Sequence, residues 1–408
     1  MPNLMDSAAT QRLERYLGSI GDVLGSTSRR ASFATYAMGL FGEGERKSTE
    51  PIAARACADP GRADAEHQRL LHFIGVSEWS DREVRREAAR YAMAAMTTSE
   101  PIEVWIIDDT GWLKQGSHSV GVQRQYTGSA GKITNCQIGV SLAVATRTEH
   151  VPIDFELYLP DSWANDPARR KEARIPDSIE FKTKPQLALG MIRRALDDDV
   201  PRGVVLADCA YGNSSAFREE VRWLGLDYVL GVEAKSKVWV LDSLNRRRGD
   251  PIALSELAAD LWKQRRFRRT TWRKGTKDDL TARFALQRVL PAHDDGWPPE
   301  QREPLWLLIE WRDGEDAPAN YFFSTLHSRL TKKKLVRIVM QRWRTERVYQ
   351  DLKGELGLDH FEGRRYPGWH HHVSVALCCY AFIVAERVRR FPPSPRIPME
   401  DSPQSLAA

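Results

Sequence analysis

Two apolar segments of the sequence end in aspartate, and the chemistry of these side chains is that of metal ligands. IEVWIID (102–108) ends at Asp108, with Asp109 next to it, and GVVLAD (203–208) ends at Asp208. Both segments have the pattern of buried strands. Carboxylates brought together at strand ends repel unless a cation lies between them, and such hard oxygen ligands suit Mg²⁺ or Mn²⁺. Asp208 could instead be only the cap of a following helix.

A third acid is needed to hold a pair of metal ions roughly 4 Å apart, and we expect it on a late helix. The segment from Leu330 to Gly357 predicts one long helix closed by its glycine. Steps of three and four residues place a stripe on one face that begins apolar and becomes charged. The stripe consists of Leu335, Ile338, Val339, Arg342, Glu346, Tyr349 and Lys353.

The charged part of this stripe indicates a site, because charges in line with core-facing residues are costly unless they are paired or bind a ligand. We expect Glu346 to be the third metal ligand, and Arg342 and Lys353 to bind phosphates. A simple ion pair between Arg342 and Glu346, four residues apart on a surface helix, is the alternative. Glu355 is a rival ligand, but it would point about 180° away from Glu346 on an ideal helix.

The elements that must position these acids follow a recognisable order. After the strand of Asp108, residues 135–146 and 151–160 have the pattern of two further strands. A helix (184–199), the strand of Asp208, a helix and another strand come next. The order is therefore three strands, a helix, a strand, a helix and a strand. This is the order of an RNase H-like α/β core. In that topology the strands of Asp108 and Asp208 lie side by side.

Changes in composition and in hydrophobic periodicity divide the chain into five regions. We expect a helical domain at 1–98, an RNase H-like core at 99–233 that resumes at 326–392, a β-rich insertion at 234–325 and a disordered tail at 393–408. The insertion is rich in Trp and Arg, and its short pieces alternate as strands do. The last core part carries the helix of Glu346.

One stretch of the insertion is strongly basic. KQRRFRRTTWRKGTK (263–277) has eight basic side chains, two aromatic rings and no acid. Such a stretch suits a polyanion, because each phosphate contact releases counterions and a ring can lie against sugar or base. Solvated strands with basic outer faces are the alternative. The residues that we select as DNA-binding candidates are Arg268, Arg269, Trp272, Arg273 and Lys274.

A glycine-rich segment, GVQRQYTGSAGK (121–132), lacks the Gly-Lys-Ser/Thr ending of a phosphate-binding loop. We interpret it as a loop or hairpin beside the site. Arg124 and Lys132 in it are candidates for DNA contact, although a plain turn explains the segment equally well.

Three consecutive histidines, His370, His371 and His372, suggest a metal site at first. Consecutive residues of a helix point in different directions, so the three cannot all bind one ion. We expect them to be solvated or to face DNA.

Bulk composition is less decisive. The net charge is only +5, because 60 Lys and Arg stand against 55 Asp and Glu. Five cysteines without a Cys-x-x-Cys spacing argue against a disulfide framework or a structural zinc site. We find neither an export signal at the start nor a run of eighteen apolar residues that could cross a membrane, so we expect a cytoplasmic protein without a membrane partner.

Several segments together resemble one known family. IIDDTG, SVGVQRQYTGSAGKITNCQIGV, VVLADCAYG, RWRTERVYQDLKGELGLDHFEGRRYPGWHHH and WRKGT look like bacterial insertion-sequence transposases of the DDE superfamily. The resemblance is to the IS-seven-oh-one-like branch of the IS-four-like group, and it covers about residues 20–390. Relatives have a Tyr, Arg, Glu and Lys signature around the last acid. Arg342, Glu346 and Lys353 fit its spacing, whereas Val339 stands where the tyrosine would be.

The resemblance implies a mechanism and partners. It favours Asp108 over Asp109, because these families place the acid two residues before the threonine of this motif, here Thr110. It implies that Asp108, Asp208 and Glu346 hold two Mg²⁺ or Mn²⁺ ions, and that a nick at each end of the element frees a 3′ hydroxyl that attacks target DNA. It further implies that the helical domain recognises the element's ends and that a homodimer bridges the DNA.

Two other functions remain open. An RNase H-like nuclease would cut DNA without joining it, and the sequence does not separate this from a transposase. A catalytically silent DNA-binding regulator would be expected to have a broken acid set, but Asp108, Asp208 and Glu346 are all present.

Overall fold

A computed structural model describes residues 7–273, 279–292, 302–327 and 330–392. The predicted disordered tail (393–408) and Lys274 lie outside these residues. Backbone contacts divide the chain into two compact units. The described residues of the first unit are 7–102, 108–201 and 344–392, and those of the second are 103–107 and the described part of 202–343.

The first unit begins with five helices, as the sequence predicts. They are α1 (Ser7–Leu24), α2 (Thr27–Phe41), α3 (Thr49–Ala56), α4 (Ala63–Gly75) and α5 (Asp81–Met96), with a 3₁₀ turn at Pro60–Arg62. The hydroxyl of Ser80 accepts a hydrogen bond from the Glu83 amide and so caps α5. Tyr16 of α1 donates from its hydroxyl to the Cys378 carbonyl, at 2.8 Å. The helices therefore share one packed interior with the C-terminal part of the chain.

The strands of the first unit are antiparallel. They are β1 (Val104–Leu113, in this unit from Asp108 onward), β2 (Gln123–Thr127), β3 (Lys132–Ala145) and β4 (His150–Tyr158). β3 pairs antiparallel with both β2 and β4. This confirms the three predicted strands and the hairpin at 121–132. Two short helices, α6 (Asp161–Ala164) and α7 (Pro167–Ala173), precede the predicted helix α8 (Lys184–Asp197), which starts with a capping box of Thr183 and Gln186.

The second unit is built on parallel strands. The beginning of β1 pairs with β5 (Val204–Ala207), and β5 pairs with β6 (Tyr228–Val232), both in parallel. The short helix α9 (Cys209–Gly212) and α10 (Ser215–Trp223) connect β5 with β6. This is the strand, helix and strand order that the sequence predicts for an RNase H-like core.

The predicted β-rich segment continues this sheet. Its elements are β7 (Lys237–Leu241), β8 (Arg247–Ala253), α11 (Leu254–Lys263), β9 (Arg268–Arg273), β10 (Leu280–Pro291), β11 (Leu305–Trp311) and β12 (Asn320–Ser324). β12 pairs antiparallel with β6, and the order then runs β11, β10, β7 and β8, with β9 on β10. The segment is therefore an extension of the core sheet, joined to it by backbone hydrogen bonds.

The late helix is interrupted, which corrects the prediction of one helix from Leu330 to Gly357. The segment forms α12 (Lys332–Val339), a 3₁₀ turn (Met340–Trp343) and α13 (Arg344–Gly354). Tertiary contacts flank the break: the Arg273 guanidinium lies 4.4 Å from the Trp343 ring centre, and Arg344 donates to the Glu149 carbonyl at 3.2 Å. A 3₁₀ turn advances by 120° per residue and not by 100°, so the predicted single stripe does not continue through it.

The last helix, α14 (Tyr366–Arg390), lies in the core of the first unit. It is long and apolar enough to cross a membrane by length and composition, which the sequence analysis did not anticipate, but 83% of its apolar window is buried inside the protein. A helix that is apolar on all sides and covered by protein is a core helix.

Two buried histidines of the first unit predict how stability depends on pH. Burial lowers the pKa of His372 to about 4. Burial, followed by the charges of Arg344, Arg387 and Arg347, lowers the pKa of His150 to about 3. Neither ring nitrogen of His150 has a hydrogen-bond partner within the described part of the chain. Both rings are therefore neutral in the native state at pH values where the unfolded chain protonates them.

We expect the free energy of unfolding to fall as the pH drops from about 6.5 to 4, because the unfolded state binds the additional protons. His150→Gln should flatten this dependence by roughly 1–2 kcal/mol at pH 5. Urea unfolding at pH 7.5 and pH 5 measures it. His118→Gln is the control, since that side chain is 60% exposed. Equal pH dependence in wild type and His150→Gln would contradict the argument.

Candidate active site

Asp108 and Asp109 lie in the middle of β1, which continues to Leu113. The prediction that the strand closes at Asp108 is therefore wrong; Gly111 and Trp112 extend the β pairing beyond the acids. Both acids are half-buried. Lys184, the first residue of α8, places its ammonium 3.0 Å from Asp109 Oδ2. Asp109 thus belongs to an ion pair with the start of α8.

Asp208 stands directly after β5 and is half-buried, as predicted. Its Oδ1 accepts a hydrogen bond from the Ala210 amide at 2.9 Å and so caps α9. The capping function considered from the sequence is therefore present. It fixes the orientation of the carboxylate, and it does not by itself exclude a second function.

Two glycines bring α9 directly against β6. A Cβ atom at Gly231 would lie 2.9 Å from the Cys209 amide nitrogen and 3.0 Å from the Asp208 carbonyl carbon. A Cβ atom at Gly212 would lie 1.9 Å from the Gly231 oxygen. Such distances are far below ordinary contact, so only glycine fits. The turn that carries Asp208 is consequently held in place by backbone packing.

Within the second unit, the beginning of β1 pairs in parallel with β5. In the second unit, Ile106 of β1 is the register partner of Leu206 of β5. In the sequence, Asp108 and Asp208 each follow that pair by two residues; Asp108 lies within β1, and Asp208 comes directly after the end of β5. Because the strands are parallel, this is the arrangement that the predicted topology requires.

Glu346 lies in the first turn of α13 and is exposed. Its helix is anchored to the strands of the first unit by its other face. The hydroxyl groups of Tyr349 and Ser141 lie 2.7 Å apart, and Arg344 donates to the carbonyls of Thr146 and Glu149 at 3.3 and 3.2 Å. The buried face thus fixes α13, and Glu346 is presented on the opposite, solvent side.

Lys353, near the end of α13, binds the strand that carries Asp108. Its ammonium donates to the Gly111 carbonyl at 2.7 Å and to the Ser129 hydroxyl at 3.2 Å. Burial lowers the pKa of this ammonium. In this structure Lys353 therefore holds α13 against β1 and the β2–β3 turn, three residues after Asp108.

Arg342 and Glu355 also lie where helical periodicity did not place them. Arg342 belongs to the 3₁₀ turn. Burial and the charges of Asp208 and Glu233 raise the pKa of the Cys209 thiol, and the charge of Arg342 opposes them, so Arg342 lies within electrostatic reach of Cys209. Glu355 follows the last residue of α13 and is exposed.

The donor chemistry fits a hard divalent cation. Asp108, Asp208 and Glu346 offer only carboxylate oxygens, the ligands that Mg²⁺ and Mn²⁺ prefer. Among the residues that the structure describes, no group of three or more His, Cys, Asp or Glu side chains is arranged to hold a metal ion. The metal ligands therefore stay a prediction, supported by ligand type and strand register.

Comparisons with known proteins match these features to one superfamily. The family model described as "DDE superfamily endonuclease" matches residues 20–279. The model described as "Transposase DDE domain" matches residues 180–382. The chain belongs to the DDE superfamily.

A curated relative agrees with this assignment. The chain is 27% identical over 345 residues to a protein of Microchaete diplosiphon named "Probable transposase for insertion sequence element IS701". The alignment covers 84% of this chain and 79% of the relative. The resemblance found in the sequence is thereby confirmed, and the mixed α/β structure is consistent with the RNase H-like fold of DDE transposases.

The described part of the basic stretch (263–273) of this DDE-superfamily protein lies in the second unit. We call the surface of β9 and the start of α12 the β9 surface. Arg268 and Arg269 are exposed, Arg273 is exposed above the Trp343 ring, and Trp272 is half-buried. Burial, followed by the charge of Arg268, lowers the pKa of Lys332. The positive charges of Arg268 and Lys332 therefore lie close enough to repel each other. Clusters of like charge of this kind occur where a polyanion is bound.

Arg124 and Lys132 lie on the β2–β3 hairpin, and both are exposed. Arg124 is the register partner of Asn135, and Lys132 is the partner of Thr127. The hairpin is thus an ordered pair of strands and not a plain turn, with a basic side chain near each end.

The three histidines are buried, so the expectation that they are solvated or face DNA is wrong. They lie in α14, whose first half is covered on all sides. His371 stacks on Trp79 with ring centres 3.8 Å apart and bonds to the Ile74 carbonyl. His372 bonds to the Tyr36 hydroxyl at 2.9 Å. Both ring nitrogens of His371 and of His372 bond to partners within the fold, and Nδ1 of His370 lies 3.6 Å from Asp81 Oδ2.

Three residues of the site were not anticipated. Lys184 neutralises Asp109, Ser129 contacts Lys353 and Gly111, and Gly231 makes room for the Asp208 turn. A lysine after a helix cap, a serine in a turn and a glycine in a strand are ordinary sequence features. Each acquires its role only through contacts with residues far away in the sequence.

Gly231→Ala tests the packing around Asp208. We expect it to lower the free energy of unfolding by about 1–3 kcal/mol, because the added methyl group overlaps the backbone of Asp208 and Cys209. Gly190→Ala is the matched control; in α8 its Cβ would meet nothing closer than 3.8 Å, and helix propensity predicts a gain of about 0.5–1 kcal/mol. Urea unfolding measures both. A neutral Gly231→Ala would refute the close approach.

Proposed function

We propose that this protein is an active transposase that cuts DNA at the ends of an insertion sequence and joins the freed 3′ ends to target DNA. The observation that supports this most is the parallel pairing of β1 with β5, since Asp108 and Asp208 each follow the register pair Ile106 and Leu206 by two residues in the sequence. The match to DDE-superfamily endonucleases and transposases supports it as well. The proposal includes action in the cytoplasm as a homodimer on DNA.

In this proposal Asp108, Asp208 and Glu346 hold two Mg²⁺ or Mn²⁺ ions, since DDE transposases generally use divalent metal ions. A pair of such ions supplies charge neutralisation at the attacking and leaving oxygens of a phosphoryl transfer. The chain itself then has to position its carboxylates and the phosphodiester. Capping of α9 orients Asp208, and the pair with Lys184 keeps Asp109 away from the ligand set.

The remaining candidates would bind the DNA backbone. Arg342 places a positive charge near the Asp208 turn, and Lys353 places one near Asp108. The β9 surface would bind phosphates farther along the duplex, and the N-terminal helices would recognise the ends of the element. Ionic contacts of this kind position the DNA without selecting its sequence.

Asparagine variants separate the two adjacent aspartates. We expect Asp108→Asn to lower DNA cleavage more than about a hundredfold, because loss of one charged metal ligand costs several kcal/mol of transition-state stabilisation. Asp109→Asn, the matched control, should lower it less than about tenfold. Cleavage of duplexes taken from the DNA flanking the gene, with Mg²⁺, measures both. The reverse order of effects would assign the ligand to Asp109.

The same assay with precut ends tests joining. We expect the wild-type protein to carry out strand transfer. Asp208→Asn and Glu346→Gln should lose this activity, and Glu355→Gln should retain it. Cleavage without joining would make the protein a nuclease. Binding without either reaction would make it a DNA-binding regulator.

Salt dependence tests the β9 surface. We expect Arg268→Gln and Arg273→Gln each to reduce the slope of log K against log salt concentration by about 0.9, the contribution of one phosphate contact to duplex DNA. Fluorescence anisotropy of a labelled duplex measures the slope. Arg246→Gln is the control, because this exposed arginine is paired with Asp242 at 2.9 Å. An unchanged slope in both β9 variants would exclude this surface from DNA binding.

A further inference from the structure

The β2–β3 hairpin exposes two large apolar side chains that face each other. Tyr126 and Ile133 are register partners, and each is 61% exposed. Side chains of register partners lie on the same face of a β-ladder, so the two form one apolar patch. Arg124, two residues before Tyr126, lies on that face too. Single exposed apolar residues are common in proteins, but a cross-strand pair exposed to this degree calls for an explanation.

The other face of the hairpin is fixed to β1. Thr127 is 1% exposed, and a Cβ atom at Gly111 would lie 2.1 Å from its Oγ1. The Ser129 hydroxyl accepts a hydrogen bond from the Gly111 amide at 3.1 Å and one from the Lys353 ammonium at 3.2 Å. The patch of Tyr126 and Ile133 is therefore mounted on the strand of Asp108, with little freedom relative to it.

The positive charge of the β2–β3 hairpin indicates which kind of partner the apolar patch would bind. No Asp or Glu occurs between Asp109 and Glu149, while Arg124 and Lys132 are exposed on the hairpin. Two copies of the chain that paired through β2 would bring these like charges together, which is unfavourable. A polyanion with apolar surfaces between its charges is complementary to the patch, and duplex DNA has phosphates outside and stacked bases inside.

We propose that Tyr126 and Ile133 form an apolar wedge that enters a base step of the DNA held next to Asp108. Apolar side chains inserted in this way unstack the bases partly and bend the duplex, and a basic rim holds the adjacent phosphates. The wedge rests on the proposed function, since it assigns positioning residues to the same DNA. It would place the scissile phosphodiester by distorting the duplex at a fixed distance along β1.

Base unstacking can be observed without cleavage. The probes are duplexes of the DNA flanking the gene, each with one 2-aminopurine, in buffer without Mg²⁺. We expect wild type to raise the fluorescence of at least one probe. Tyr126→Ala and Ile133→Ala should lose this rise and bind roughly tenfold more weakly, the loss of one base-stacking contact. Tyr126→Trp should retain both signals. Trp223→Ala, which removes an 80% exposed ring on α10, is the matched control.

Two results would overturn the wedge. One is a fluorescence rise and affinity of Tyr126→Ala and Ile133→Ala equal to those of wild type. The other is a molar mass of the two variants in light scattering that differs from that of wild type while the fluorescence rise is retained. That result would assign the patch to contact with a second copy of the chain. Wild type that unstacks the probes but never cuts DNA with Mg²⁺ would instead refute the proposed transposase activity alone.

Discussion

Burial of α14 along most of its length is the constraint on which the first unit depends. A helix covered on all sides needs partners in every direction, and the N-terminal helices and β4 provide them. Buried polar groups on it are stabilised by hydrogen bonds, because a buried group without one is costly. Ser374 of α14 accordingly accepts from Arg85 of α5 at 2.9 Å, and Arg85 also bonds to Asp154 of β4. One buried guanidinium thus ties the helical region, α14 and the strands together.

Sequence periodicity predicted most elements of this fold, because it reports which face of an element is buried. The order of strands and helices from Asp108 to β6 follows from it, and so does the assignment of Asp208 to a strand end. It was misleading where a feature depends on residues far away in the sequence. The break between α12 and α13 accompanies contacts of Trp343 and Arg344 with Arg273 and Glu149, and local spacing contains no trace of them.

In the candidate site, too, local sequence patterns predicted some features and missed those that depend on distant residues. Residue type and strand position selected Asp208 and the neighbours Asp108 and Asp109 as candidates, and the charged stripe of the late helix selected Glu346. The preference for Asp108 over Asp109 came from the resemblance to DDE transposases. The periodicity of a single helix was not enough to place Arg342, because a 3₁₀ turn intervenes. The histidines were misjudged because three polar residues in a row suggest exposure. Their partners lie far away in the sequence: His371 bonds to the carbonyls of Ile74 and Trp79, and His372 bonds to the carbonyl of Gly357.

The ion pair of Lys184 with Asp109 has a consequence for electroneutrality. Two adjacent carboxylates on one strand would concentrate two negative charges and attract a surplus cation or a proton. The ion pair with Lys184, the first residue of α8, offsets the charge of Asp109. Acetylation of Lys184 would abolish the compensation, because it removes the positive charge. The charge at this point of β1 therefore depends partly on a helix that contains none of the proposed metal ligands.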